Sequence, residues 1–381
     1  MPFRYTCAVG LGLWLGALTA CGGDSGDDTA HEQAPPHHLT ATPAVETPPP
    51  TPQPPAARPE PQLFRRSQTM MGTIIQITVL APEDDAHEQA VRAAFAEMRR
   101  LEGVLSEWQP DSEISQINAA AGKKPVAVSD DTLAVVRAGV EVSRWSEGAF
   151  DLTWAALRGL YLFQPGSETV PTAAELKPRL KRIDYRQIVI DEDKKTVFLR
   201  RPDMVIGTGG IAKGYALDRA GAVLQAAGIT NYMLFGGGQV QVRGLKGDRL
   251  WRVGIQHPRK DDYFGYLAVD GGSISTSGDY EHAFIQDGKR WHHLLDLKTG
   301  LPVEHTTSVT VLADSGLYAD ALSTAIFAMG YERAGARLAA APGRPRFVTV
   351  DNQLVVHVGG DLPADRLVLS PGVAREKALP Q

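Results

Sequence analysis

The stretch "NYMLFGGGQVQVRGLKGDRLWRVGIQH", residues 231–257, decides the fold class. Strand patterns at 231–235, 239–243 and 251–257 follow one another with turn residues between them and no helix. Working outward, "IAKGYALDRAGAVLQAAG" (211–228) before it reads as a helix ending at Gly228. After it come strands at 281–286 and 290–295, with Asp287-Gly288 placed for a hairpin turn. A strand at 308–313 precedes a helix over 315–330, capped by Ser315 and closed by Gly330, and strands at 346–350 and 354–358 follow.

Toward the N-terminus, "TIIQITVL" (73–80) alternates like a strand, and residues 84–105 have helical spacing with acids early and arginines late, as the helix dipole prefers. Residues 130–146 predict a second helix, and 187–201 two strands around an acidic turn. Clusters of strands interrupted by helices predict an α+β domain over residues 65–375, with largely antiparallel sheets flanked by helices rather than a βαβ array.

The chain has 381 residues, 43% hydrophobic and 22% charged, with a net charge of −5. No general field attracts nucleic acid or an anionic membrane surface, so a phosphate ligand has to be met by local groups. Residues 1–23 read as a leader: one arginine, an apolar run too short to span a bilayer comfortably, and "LTAC" ending at Cys21. Leu18 to Cys21 is similar to a bacterial lipobox, which implies lipidation of Cys21 and an anchor on the periplasmic side of a membrane; an ordinary cleaved signal is the alternative. The only other cysteine, Cys7, leaves with the leader, which excludes thiol catalysis and disulfides from the mature domain. Residues 24–64 read as a spacer, and 34–62 hold 11 of the chain's 26 prolines, a composition that runs extended instead of packing. The spacer histidines His31, His37 and His38 are scattered and read as idle.

"VIGTGGIAKGYALDRA" (205–220) has four glycines and a lysine where a strand turns into a helix. It fails the Walker template, because Gly214 follows Lys213, and the dinucleotide template, because Ala212 stands where the third glycine is required. What remains is backbone able to approach a ligand at Gly209 and Gly210, a helix N-terminus and the charge of Lys213, or else a glycine turn beside a solvated lysine. Asp320 and Thr324, four residues apart on one helix, put a carboxylate and a hydroxyl on one face. Such oxygens suit Mg²⁺, although a plain surface face reads the same way. His292 and His293 are neighbours in a predicted strand and point to opposite faces, so one at most enters a site.

Seven blocks, "MGT" (71–73), "SEWQPDSEISQIN" (106–118), "GAFDLT" (148–153), "GGIAKGYALDRA" (209–220), "STSGDYEHAF" (275–284), "HLLDLKTGLPV" (293–303) and "SVTVLADSGLYADALSTAIFAMG" (308–330), resemble in order the ApbE family of FAD:protein FMN transferases. The resemblance covers essentially the whole domain and implies one large domain, FAD as substrate, Mg²⁺ as cofactor and an acceptor protein modified on a Ser or Thr hydroxyl. It implies flavin contacts from Met71, Trp108, Ala149, Phe150, Asp151, the position of Gly207, Lys213 and Leu294. It further implies metal ligation by the Gly210 carbonyl, Asp320 and Thr324, with His293 as the base.

Three positions depart from the family pattern. Gly207 stands where an aspartate is usual, Leu297 replaces a proline, and Gly237-Gly238-Gln239 replaces Gly-Gly-Asp. The expected chemistry is attack of the acceptor hydroxyl on the FMN phosphorus with AMP leaving. A lipoprotein that binds FAD without turnover and a diphosphatase giving FMN and AMP are the alternatives.

Overall fold

The computed structural model describes residues 60–371 and 373; the expected leader with Cys21 and the spacer as far as residue 59 lie outside the described residues. The helices are α1 (Asp85–Leu105), α2 (Glu113–Ala119), α3 (Asp130–Trp145), α4 (Ala173–Leu180), α5 (Ala212–Ala226), α6 (Gly316–Met329) and α7 (Tyr331–Ala336). An eight-stranded sheet runs in the order Gln62–Met70, Thr73–Ala81, Tyr232–Gly236, Gln239–Arg243, Gly271–Gly278, Thr306–Ala313, Arg346–Asp351, Val356–Gly359. Every neighbouring pair in it is antiparallel.

The sheet is the middle of three layers. Against one face lie α1, α3, α5 and α6, burying Met98, Leu101, Leu217, Leu322, Ile326 and Phe327 with Ile75, Ile77, Leu234, Val309 and Val311 of the strands. Against the other face lies a three-stranded sheet, Leu367–Leu369, Tyr263–Val269, Trp251–Gln256, whose Trp251, Ile255, Phe264 and Leu267 pack on Val240, Val242, Ile274 and Val348. The strand Thr306–Ala313 is therefore buried at every residue, since both of its faces are covered. The α+β expectation stands.

Most predicted elements lie where the periodicity placed them. Asp84, Ser129 and Ser315 cap α1, α3 and α6 with their side chains. Asp287 and Gly288, at φ of 53° and 75°, make the hairpin turn between Ala283–Gln286 and Lys289–His292. That hairpin's second strand stops at His292, earlier than the alternation suggested. The strand Gln62–Met70 begins inside the stretch read as spacer, held by nine residue pairs to Thr73–Ala81. The two-residue connection Met71-Gly72 has both φ angles positive, at 51° and 71°, as a mirror-image hairpin turn demands. The strands Tyr263–Val269 and Gly271–Gly278 were not foreseen.

Helices α5 and α6 touch backbone to backbone. A methyl group at Gly214 would lie 1.9 Å from the Gly316 carbonyl oxygen, and one at Gly316 2.3 Å from that of Gly214. Asp218, one turn beyond Gly214, accepts hydrogen bonds from the N–H groups of Gly316 at 2.7 Å and Leu317 at 2.9 Å, the first residues of α6. Burial pushes the Asp218 carboxyl up to about 6. The crossing delivers the α6 oxygens to the start of α5. Gly214→Ala is accordingly expected to cost about 1–3 kcal/mol through overpacking, read as a lower midpoint in denaturant unfolding; an unchanged midpoint would refute the close contact.

Candidate functional site

The centre of the site is the turn from Gly207 into α5. Ile211 offers no side-chain cap; the first N–H groups of α5 are met instead by the Thr208 carbonyl oxygen, which accepts from Ile211 at 3.0 Å and Ala212 at 2.9 Å. Lys213 folds its ammonium back onto the Gly209 carbonyl oxygen at 3.1 Å. Gly210 sits between two side chains: a methyl on its Cα would lie 3.4 Å from Phe150 Cε2 and 3.6 Å from Thr324 Oγ1. The buried Asp320 accepts a 3.0 Å bond from the Gly214 N–H through Oδ2. Thr324 lies one turn further along α6 and is 3.4 Å from the Ser277 hydroxyl. Ser277 in turn meets Ser323 at 2.8 Å, and Ser323 donates to the Asp320 carbonyl oxygen at 2.9 Å.

Carboxylate, hydroxyl and carbonyl oxygens thus gather at one crossing. They suit a small hard cation, which takes few protein oxygens and keeps places for water and phosphate. Among the described residues no cluster of three or more His, Cys, Asp or Glu could hold a metal.

His293, just after the hairpin's second strand, lies within electrostatic reach of Lys213. Its Nδ1–H donates to the Glu281 carbonyl oxygen at 3.0 Å, which leaves Nε2 with a free lone pair. The residue is exposed to solvent at its surface, while protein atoms surround the ring on its other sides. That crowding, then the neighbouring His282 ring at 5.3 Å, then His292 and the Lys213 ammonium push its pKa down to about 3. His292 points the other way. It is buried, bonds Val303 O through Nε2 at 3.0 Å and accepts the Leu294 N–H through Nδ1 at 3.3 Å. The two-faces expectation holds for this pair, with His292 the structural member.

The 105–108 loop and the Met71-Gly72 turn lie near each other. Met71 donates its N–H to Glu102 at 2.7 Å near the end of α1, which brings the turn beside this loop. Trp108 is 71% exposed, and the Arg158 guanidinium lies over its ring at 4.6 Å. Ala149 is partly buried beside Phe150.

Two residues of the expected flavin set, Asp151 and Leu294, also have roles within the protein. Asp151 caps the short helical turn Leu152–Leu157 by accepting from Thr153 N–H and Oγ1 at 2.8 and 2.7 Å, and its other oxygen takes the Tyr185 N–H at 2.8 Å. Both oxygens are occupied within the protein, and burial raises the carboxyl's pKa. Leu294 is a core side chain, 6% exposed.

Sequence reading missed Glu107 and Trp154, which lie against Gly207, Arg158, which pairs with Glu107, and Asp218, which orders the α6 N-terminus. Asp218 had a signal, since it lies four residues after Gly214 on the same helical face. Glu107 had none, because its partners are 51 to 102 residues away in the chain.

With the geometry described, the relatives can be placed. The ApbE family model matches residues 71–346. The chain is 32% identical over 281 residues to an FAD:protein FMN transferase of Klebsiella pneumoniae, covering 73% of this chain and 86% of that protein. It is 35% identical over 272 residues to one of Vibrio cholerae, covering 69% and 80%. Among solved structures, the ApbE protein of Thermotoga maritima superposes with a TM-score of 0.71 at 31% identity, over 78% of this chain and 97% of that one. The flavin transferase ApbE from Vibrio cholerae gives 0.68 at 30%, over 76% and 94%. This chain belongs to the ApbE family.

Proposed function

We propose that the protein transfers FMN from FAD to a Ser or Thr hydroxyl of an acceptor protein and releases AMP, with Mg²⁺ as cofactor. The observation that supports this reading is a neutral imidazole with a free Nε2 at His293, within electrostatic reach of the Lys213 ammonium, which stands one residue before the Gly214 N–H bonded to Asp320. Relatives of this chain bear the name FAD:protein FMN transferase, which supports the same reading.

The residues divide the work. Asp320 would hold the cation with its charge, and Thr324 and the Gly210 carbonyl with neutral oxygens. A cation so bound lowers the charge barrier to attack on a diphosphate. Lys213 and the α5 N-terminus add positive potential for the phosphate oxygens. His293 accepts the proton of the attacking hydroxyl at Nε2, while the Glu281 carbonyl fixes its tautomer and ring orientation. Its depressed pKa keeps it in the base form at neutral pH; the anionic diphosphate of bound FAD offsets Lys213 and raises its basicity. Met71, Phe150 and Trp108 offer apolar and aromatic surface for the isoalloxazine.

Incubation of the mature domain with FAD and Mg²⁺, with and without an acceptor protein, tests the reading. Covalent flavin on the acceptor together with AMP is the expected result. FMN and AMP released without acceptor would replace it by a diphosphatase, and unchanged bound FAD by a binding protein. We further propose that lipidated Cys21 anchors the domain at the periplasmic side of a membrane, on the strength of "LTAC" and the proline-rich stretch after it. Cys21→Ser should then leave the membrane fraction, and its retention there would refute the anchor.

A further inference from the structure

Position 207 and position 107 compete for one space. A methyl on the Cα of Gly207 would lie 2.5 Å from Glu107 Oε2 and 3.1 Å from both Trp154 Nε1 and the Ala155 methyl. No side chain at 207 coexists with the Glu107 carboxylate in its place. That carboxylate is buried, with 4% of its side chain exposed. A buried charge persists only where it is paired and hydrogen-bonded. Glu107 meets both conditions. Oε2 accepts from the Thr208 N–H and, at 3.4 Å, from the Gly209 N–H; Oε1 faces Arg158 Nη2 at 2.9 Å. Thr208 returns a further bond from its hydroxyl to the Leu105 carbonyl oxygen at 2.6 Å. Arg158 also donates from Nη1 to the Glu107 carbonyl oxygen at 3.3 Å while lying over Trp108.

One carboxylate therefore ties together the two halves of the site. On one side it orders the turn that presents Gly210 and Lys213. On the other it holds the arginine that braces Trp108, which at 71% exposed has no packed core to fix it. A carboxylate on a side chain at 207 would fill the same volume from the opposite strand of backbone.

We propose that Glu107 is the positioning residue of this site, delivering from the 105–108 loop the acid that position 207 lacks and aligning the glycine turn and Trp108 toward FAD. The proposal rests on the flavin-transfer reading for its ligand, but not for its geometry.

The test compares wild type with Glu107→Gln, Glu107→Ala, Gly207→Asp and the double variant Glu107→Ala/Gly207→Asp. Thermal unfolding of each confirms that it folds. Glu107→Gln and Glu107→Ala are expected to raise the KM for FAD about tenfold or more, the size of a lost bond to a buried charge, with kcat changed far less. Gly207→Asp alone should be impaired as strongly or fail to fold, because two carboxylates meet in one space. The double variant should recover most of the lost affinity, which a merely structural role for Glu107 does not predict.

Amide hydrogen exchange at Thr208 and Gly209, measured on the free protein, should accelerate about tenfold in Glu107→Ala and slow again in the double variant. Wild-type KM and wild-type exchange in Glu107→Ala would overturn the proposal, as would a folded double variant no better than Glu107→Ala. If wild type transfers no flavin, the transferase reading fails while the exchange rates still decide the role of Glu107.

Discussion

His293→Ala is expected to keep FAD binding and to transfer FMN about a hundredfold to ten-thousandfold more slowly, the range typical for loss of a general base. Binding survives because the α5 turn, Lys213 and the α6 oxygens are untouched by the change. The readout is flavin fluorescence on the acceptor at saturating FAD. His292→Ala is the control: it removes a buried ring that bonds Val303 and Leu294, so it should lower stability by about 2–4 kcal/mol and leave the folded enzyme's rate near normal. A slow His292→Ala beside a normal His293→Ala would reverse the two roles.

The same histidine predicts an acid sensitivity. Its pKa is about 3 in the fold, against 6.5 for the free side chain, so the folded state disfavours its proton. Stability from this group is fully present above pH 6.5 and is lost as the pH falls toward 3. His292 shifts in the same direction, through burial. His293→Asn should therefore show a smaller drop in unfolding temperature between pH 6.5 and 4 than wild type does. Solvent contact with the ring limits the size of this difference.

Asp320→Ala should lower transfer about a hundredfold or more at low Mg²⁺, because it removes the single anionic ligand of the proposed set. Thr324→Ala, which removes a neutral oxygen, should cost about tenfold and be relieved by raising Mg²⁺. Asp320 also holds the Gly214 N–H, so Asp320→Asn separates the roles: it keeps an acceptor for that bond and loses the charge. Initial rates across a Mg²⁺ series decide the matter. Full activity of Asp320→Ala at low Mg²⁺ would remove the metal assignment.

Local patterns carried much of this protein. Alternation in 231–257 was enough for the antiparallel strands, since a half-buried strand needs one apolar face and a tight turn needs glycine. Helical spacing placed α1 and α3, and spacing with the Ser315 cap placed α6 and with it the i, i+4 pair Asp320 and Thr324. The opposed faces of His292 and His293 followed from backbone geometry alone.

Other features had no local signature. Gly271–Gly278 reads "GGSISTSG", too polar and glycine-rich for a central strand by propensity. It is one because Ser275 and Ser277 spend their hydroxyls on Ser323 of α6, a partner visible only once the helix lies across the sheet. That Asp151 caps the Leu152–Leu157 turn and also takes the Tyr185 N–H had no local signature either, because Tyr185 lies on a separate stretch of chain.

What the sequence by itself determined were the antiparallel α+β class, most helices and the oxygen donors of α6, because these depend on neighbours within a few residues. What only the tertiary structure decided was the supply of charge to the glycine turn. Position 207 looks deficient in one dimension. In three, Glu107 stands in its space, because a buried donor is satisfied by whichever acceptor reaches it, however far away in the chain.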